Sequence, residues 1–372
     1  MTQFEMPKNI QQILMGCIAI GILSMGATFI LDAHRGWAVF LCFTFFLLTL
    51  SLSGTFFASL QLISGATWAT VIRRIPENTV AALPLAGIGI LIIAGLGSHS
   101  IYEWTHADVV AEDPILQAKE GYLNLPFWIG RLVAYLAIWL ILGLAIRSNS
   151  RAMDESKSEA TKSTLVKLSA GYILVFAYTI TFASMDLIMS LDPHWFQTMF
   201  PVYSFAGLAY SGTAALIIML YVVQKHGGLK DVTVEHWHDI GKYQFMFTVC
   251  WAYIAFSQHM LTWYANLTEF TYYLEKRLDG TWGIFTYVFW IGHFVIPFII
   301  LLSRKIKRTP EKLVKVAWFI LFMGFVDVVW MVHGSMHPMI KGWPLGWQEL
   351  GAFFGVVGLF GYSVLSAYSK GS

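Results

Sequence analysis

Apolar residues in this chain come in nearly unbroken runs of about twenty, separated by short polar stretches. A helix rises 1.5 Å per residue, so a run of about twenty residues crosses the roughly 30 Å hydrocarbon core of a bilayer. The runs predict ten spanning helices, at about 11–31, 37–62, 79–101, 125–147, 165–191, 199–224, 243–265, 281–303, 313–335 and 346–368. The expected fold is all-α, a polytopic membrane protein. The first run, Ile10 to Leu31, follows a single Lys8. It is too long for a signal-peptide core and lacks a small-residue cleavage site, so it reads as a retained span.

Composition agrees with the pattern. The 372 residues are 57% hydrophobic and 12% charged, with mean hydropathy +0.62, whereas soluble domains carry about 25% charged residues. The net charge of +2 is not gathered into a basic patch, so nothing suggests nucleic acid. Cys17, Cys42 and Cys250 all lie in apolar runs, without metal-ligand spacing, and read as packing residues.

Charge distribution orients the chain. With ten spans, 18 of the 24 Lys and Arg lie on the side of the two termini. Five lie opposite (Arg35, Lys119, Lys276, Arg277 and Lys341), and Arg131 falls inside a span. The positive-inside rule makes the 18-residue side cytoplasmic, which puts both termini there. A multi-pass membrane protein is expected.

The stretch Ser184–Phe200, SMDLIMSLDPHWFQTMF, then lies at the outer end of the fifth span. The residue before a proline is steered out of the α region. Asp192 is therefore expected to end the helix and cap a new turn, with Pro193 at its first position. His194, Trp195 and Phe196 suit the interfacial belt. Asp186 lies about 9 Å deeper at 1.5 Å per residue, where a carboxylate is costly.

Short words recur. Ser53–Thr55 (SGT) returns at Ser211–Thr213, His99 in GSHSIYEW matches His259 in SQHMLTWY, and Phe127–Arg131 (FWIGR) matches Phe289–His293 (FWIGH), at offsets of 158, 160 and 162. Asp186 has a looser counterpart in Asp327. Four matches in order, one per helix, predict an internal duplication. Each unit has four helices, so both point the same way, as a parallel repeat. The expected organisation is a first flanking helix in 1–35, one four-helix bundle in 36–197, a second in 198–340 and a last flanking helix in 341–372.

Ionisable residues inside spans mark candidate sites. In the first unit His99, Arg131 and Asp186 reach the outer third of the membrane, Arg131 and Asp186 at nearly equal depth. Glu103 and His106 follow in the loop above. In the second unit His259, His293 and Asp327 repeat the pattern with histidine in place of arginine. The bland reading is a structural ion pair and an interfacial histidine. The sharper one is a base, an acid and a guanidinium assembled to handle protons. Haem ligation needs two axial ligands at matched depth. His259 and His293 differ in depth by about 9 Å at 1.5 Å per residue, so no haem is expected, and no cluster or flavin motif is present.

The segment around MSLDPHWF resembles the NrfD-like membrane subunits of bacterial alternative complex III, a quinol:cytochrome c oxidoreductase. WYANLTEFTYYLEKR at Trp263–Arg277 resembles a second element of that family, with Thr268 in place of the usual proline and Phe270 in place of an acidic residue. The length and short loops are most similar to the family's second quinone-binding subunit. The resemblance implies a quinol ligand, menaquinol or ubiquinol, and no metal or covalent cofactor on this chain. It implies a paralogous NrfD-like subunit, an iron–sulfur subunit and c-type cytochrome subunits as partners. Asp186, Asp192, Pro193, His194 and Trp195 carry over with the motif, His99 and Arg131 by helix position only. The expected function is quinol interaction, proton translocation, or both. A purely proton-conducting or anchoring subunit is the alternative. A secondary transporter is a third, and it calls for broken helices at matched positions of the two halves.

Overall fold

The computed structural model describes residues 4–156, 158–336 and 343–371. Their regular structure is entirely helical, as expected where no water satisfies the backbone and each segment must bond within itself. The long helices are numbered here as α1 (Lys8–Leu31), α2 (Ala33–Ile63), α3 (Arg74–Ile101), α4 (Leu125–Ser156), α5 (Glu159–Leu187), α6 (Phe200–Lys225), α7 (Val234–Ala265), α8 (Gly280–Leu302), α9 (Pro310–Ser335) and α10 (Trp347–Ser369). An amphipathic helix, Thr268–Leu278, lies between α7 and α8.

Nine helices among the described residues are long and apolar enough to cross a membrane, which makes this a multi-pass membrane protein. The exception among the ten long helices is α7, where the seventh span was expected. It is a continuous 32-residue helix, diluted by residues such as Glu235, Asp239, Lys242, Gln244 and Gln258.

Local chemistry sets several boundaries. Asp32 alone separates α1 from α2. It is extended, and its carboxylate accepts from the Arg35 N–H at 3.0 Å, an N-cap for α2. At the end of α5 the chain passes through a 3-10 turn, Met189–Leu191, before the Asp192–Pro193 turn. A turn does follow Asp192, with the Trp195 N–H donating to the Asp192 carbonyl at 3.1 Å, but the Asp192 side chain does not cap it: its carboxylate accepts from the Tyr272 hydroxyl at 2.6 Å and from Lys276 Nζ at 2.8 Å. Trp195 is not interfacial but buried, its ring stacked 3.7 Å from that of Tyr273. The amphipathic helix supplies Tyr272, Tyr273 and Lys276, and loop reading from sequence could not foresee that it folds back over this turn.

Helices α2 and α6 form the axis of the molecule. Of the most apolar window of each, 89% and 83% of residues are buried, against 17% for α1. Contacts run α2–α3, α3–α4, α4–α5 and α2–α5 in the first half, and α6–α7, α7–α8, α8–α9 and α6–α9 in the second. Helices α1 and α10 pack along each other and onto α2.

Small residues allow the closest approaches, as is usual between helices in lipid. A Cβ added at Gly212 would lie 2.1 Å from the Ser53 Cβ, so the two SGT words meet where α6 crosses α2. Ser211 fits against Gly324 of α9 in the same way. Between α1 and α10, a Cβ at Gly21 would fall 2.5 Å from the Gly355 Cα.

Candidate functional site

The first polar centre joins α4 to α5. Trp128, Arg131 and Tyr135 recur at helical spacing on one face of α4, and all three address Asp186, which is fully buried. Arg131 Nε donates to Asp186 Oδ2 at 3.0 Å and Nη2 to Oδ1 at 2.8 Å, a two-pronged ion pair. Tyr135 adds its hydroxyl to Oδ2 at 3.2 Å, and the Trp128 indole N–H donates to the Asp186 carbonyl at 3.0 Å. The guanidinium is sandwiched near the rings of Tyr122 and Phe127, at 3.8 and 4.3 Å, and its third nitrogen donates to the Tyr122 carbonyl at 3.0 Å. Both carboxylate oxygens are thus engaged, and the charge is matched by a full positive one.

The other residues expected near this pair stand apart from it. His99 is exposed at the end of α3, its ring 5.4 Å from that of His106, which also meets the His99 carbonyl at 2.7 Å. Glu103 is exposed. Among the described residues none of the three hydrogen-bonds to Asp186 or Arg131.

The second centre gathers four helices. Asp327 of α9 is 1% exposed, and His293 of α8 is fully buried beside it, with Nε2 3.8 Å from Oδ2. The Trp251 indole of α7 donates to Oδ2 at 3.0 Å, and the Tyr203 hydroxyl of α6 donates to Oδ1. The His293 ring lies between Tyr210 and Trp251, with centroids 4.0 and 3.7 Å away. Neither of its nitrogens makes a hydrogen bond in the described structure. It sits in a π-helical turn, Ile291–Val295, a local widening that often accompanies function. Unlike Asp186, Asp327 faces only neutral donors until His293 takes a proton.

His259 does not join this centre. It is two turns along α7 from Trp251 on the same face, edge-on to Trp290 at 5.9 Å, and its Nδ1 is buried without a partner.

Sequence reading missed three polar groups. Arg277, counted as a loop cation, is fully buried. Its guanidinium lies 3.6 Å from the Tyr273 ring centroid and donates to the Tyr273 and Met331 carbonyls and to Ser335 Oγ, at 2.8, 3.1 and 3.0 Å. No carboxylate pairs with it among the described residues. It also lies 4.9 Å from the Trp330 ring, whose centroid is 6.3 Å from that of Tyr203. Its one sequence signal is its place four residues after Tyr273 on a helix with a strong apolar face. Arg35 and the fully buried Glu349 form a two-pronged pair, at 3.0 and 2.9 Å, that ties α2 to α10, with His333 3.9 Å away. At the opposite end Arg73 and Arg74 bind Asp154, and both also pair with the buried Glu77.

Loop residues close the first of these ends. Asp113 accepts from His194, and that hydrogen bond holds its carboxyl below the usual carboxylate range. Lys119 donates to the Pro193 carbonyl, and partial burial lowers its ammonium pKa despite the nearby Asp192 and Asp113.

Comparison with protein-family models and with curated proteins finds no match to this chain.

Proposed function

We propose that the chain is an NrfD-like integral subunit of a quinol-oxidising respiratory complex of the alternative complex III type, in a bacterial inner membrane. It crosses the membrane ten times, α7 included, with both termini cytoplasmic, as two parallel four-helix units flanked by α1 and α10.

One observation carries the reading. Arg131 and His293 occupy the same place in the words FWIGR and FWIGH, and each pairs with an aspartate on the following helix, Asp186 or Asp327. An indole N–H reaches each aspartate from non-equivalent helices, Trp128 of α4 donating to the Asp186 carbonyl and Trp251 of α7 to the Asp327 carboxylate. A duplicated buried acid–base pair is an expensive feature to hold in a membrane, and such residues usually line proton or substrate routes. Quinol oxidation releases two electrons and two protons. This chain offers groups to receive protons, while electrons pass to partner subunits carrying iron–sulfur clusters and c-type haem.

The two centres suit different work. The Arg131–Asp186 pair is saturated, which favours a second reading for the first unit, a charge clamp fixing α4 to α5. The His293–Asp327 pair has neutral neighbours and free imidazole nitrogens, which suits a group that takes and gives a proton. A transporter reading gains no support, because the π turns interrupt α3 at Ile93–Gly97 and α8 at Ile291–Val295, the second helix of one unit and the third of the other.

The test is quinol:cytochrome c turnover of the intact complex carrying Asp186→Asn or Asp327→Asn. Asp327→Asn is expected to lower turnover at least tenfold with all subunits retained, the scale of one lost general base. Absence of copurifying redox subunits, or wild-type turnover in both variants, would sink the proposal.

A further inference from the structure

Arginines gather where α3 begins and α4 and α10 end, on the side proposed as cytoplasmic. Two carboxylates serve two of them: Asp154 pairs with both Arg73 and Arg74, and Glu77 pairs with the same two. Arg147 and Arg151, one turn apart on α4, are left over. Among the described residues neither pairs with a carboxylate, and Glu155, a further turn along α4, makes no ion pair with Arg151. Arg147 lies in the field of Arg151 and Arg74, with Glu77 opposing them.

Both residues are half-buried, so neither simply extends into water. Arg147 Nη2 donates to the Ala367 carbonyl of α10 at 3.3 Å, and a Cβ added at Gly371 would collide with the Arg151 guanidinium. The backbone at the end of α10 thus holds both guanidiniums beside α4. Each Nε is enclosed without a partner, and the Nη groups remain the donors that a ligand can meet. Two unpaired cations held together repel each other, and an anion between them removes that cost. The planar fork of arginine matches the oxygens of a phosphate. The surface next to the pair is apolar. Leu144 and Ile141 lie about one and two turns deeper on α4, 44% and 66% exposed, and residues 144, 147 and 151 share one helical face. A phosphate carried on acyl chains meets the guanidiniums and this apolar strip together, whereas a soluble anion uses only the first.

We propose that Arg147 and Arg151 bind the phosphate of an anionic phospholipid in the cytoplasmic leaflet, with its acyl chains along Leu144 and Ile141. Basic pockets between helices at cytoplasmic ends take such headgroups. A zwitterionic lipid brings its own cation beside the phosphate, which two guanidiniums disfavour, so the site selects for net negative charge. The bound headgroup joins the end of α4 to the end of α10. The choice of leaflet follows from the orientation proposed above, and the site does not depend on the quinol reading.

The test uses the purified full-length chain in nanodiscs of phosphatidylcholine alone or mixed equally with phosphatidylglycerol. It is read by thermal unfolding and by lipid retained in native mass spectrometry. Wild-type protein is expected to retain phosphatidylglycerol selectively and to unfold at a higher temperature in the mixed discs. Arg147→Gln/Arg151→Gln should weaken that retention about a hundredfold, the scale of two charge-assisted hydrogen bonds. Lys312→Gln/Lys315→Gln removes the same charge from exposed positions on the same side and should change it little. Arg147→Lys/Arg151→Lys keeps the charge but not the fork, should fall between, and serves alone if the glutamine variant does not fold. Absence of selective retention in wild type would overturn the site and leave these arginines to an acidic segment of a partner. Equal loss in the arginine and lysine variants would also overturn it, as general attraction to a charged leaflet. Stabilisation in phosphatidylcholine discs by inorganic phosphate, lost with Arg147→Gln/Arg151→Gln, would assign the pair to a soluble anion and contradict the lipid. These outcomes are independent of turnover in the Asp327→Asn complex, so the site can fail while the proposed function survives, and the reverse.

Discussion

At the scale of single residues, Asp186 and Asp327 look alike in the sequence and differ in what surrounds them. Both interrupt apolar runs near the end of a unit, and that alone marks them as candidates. The difference lies in their partners, which come from other helices and which spacing cannot show. Arg131 was visible as the one cation inside a span, and its match in depth with Asp186 foretold the pair. Tyr203, Trp251 and Tyr135 were invisible, because aromatic residues in a membrane helix are common and only a hydrogen bond distinguishes these. Arg277 was misplaced for a related reason: a loop cation is counted as facing water unless something is known to cover it.

The clamp reading of Arg131 makes a specific demand. Arg131→Gln leaves a buried carboxylate facing only neutral donors, which typically costs about 3–5 kcal/mol. Arg131→Gln with Asp186→Asn removes both charges and should recover most of that loss. Thermal unfolding of the two variants in the same nanodiscs checks this. Equal destabilisation of the single and the double variant would show that the charge pair is not what holds α4 to α5.

At the scale of elements, all ten expected helices are present as helices, because uninterrupted apolar length is the strongest signal a chain can carry. Their ends were less legible. Helix α4 continues to Ser156 and α7 begins at Val234, where polar residues on helical spacing extend them beyond the apolar run. The π turns in α3 and α8 left no trace in hydropathy.

Close packing gives a test within one helix. Gly21 and Gly16 both lie in α1, but only Gly21 meets another backbone, that of Gly355 in α10, while a Cβ at Gly16 meets nothing within 4 Å. Gly21→Val should therefore destabilise by about 1–3 kcal/mol through overpacking, and Gly16→Val should be near neutral. Similar melting temperatures for the two would contradict the α1–α10 contact.

The loop that includes residues 103–124 offers a pH test. The Asp113 carboxyl is held below its usual range by His194. A depressed carboxylate contributes stability above its unfolded pKa of about 3.9 and loses it as pH falls through the lower folded value. The tie between this loop and the Asp192–Trp195 turn should loosen only in that acid window. Proteolysis of the loop by an acid protease should accelerate there in wild type, while His194→Ala should be cleaved fast across the window. A flat wild-type profile would remove the tie.

At the scale of the whole molecule, α2 and α6 are buried nearly throughout, while α1 and α4 leave most of their apolar windows uncovered, 17% and 28% buried. In the proposed complex, lipid and partner subunits would cover the rest. The recurring words are joined by recurring contacts, α2–α5 answered by α6–α9 and α4–α5 by α8–α9. The Arg131–Asp186 pair joins α4 to α5, and the His293–Asp327 pair joins α8 to α9. The divergence between those pairs is the basis of the functional account: one half secured by charge, the other left with an exchangeable proton.

That account is tested most directly by counting protons released per electron when the intact complex, in sealed vesicles, oxidises quinol. The account predicts a lowered ratio with Asp327→Asn and a near-wild-type ratio with Arg131→Gln/Asp186→Asn, both in fully assembled complexes. A wild-type ratio with Asp327→Asn would contradict it, because the acid of the second centre would then be structural and protons would take another route.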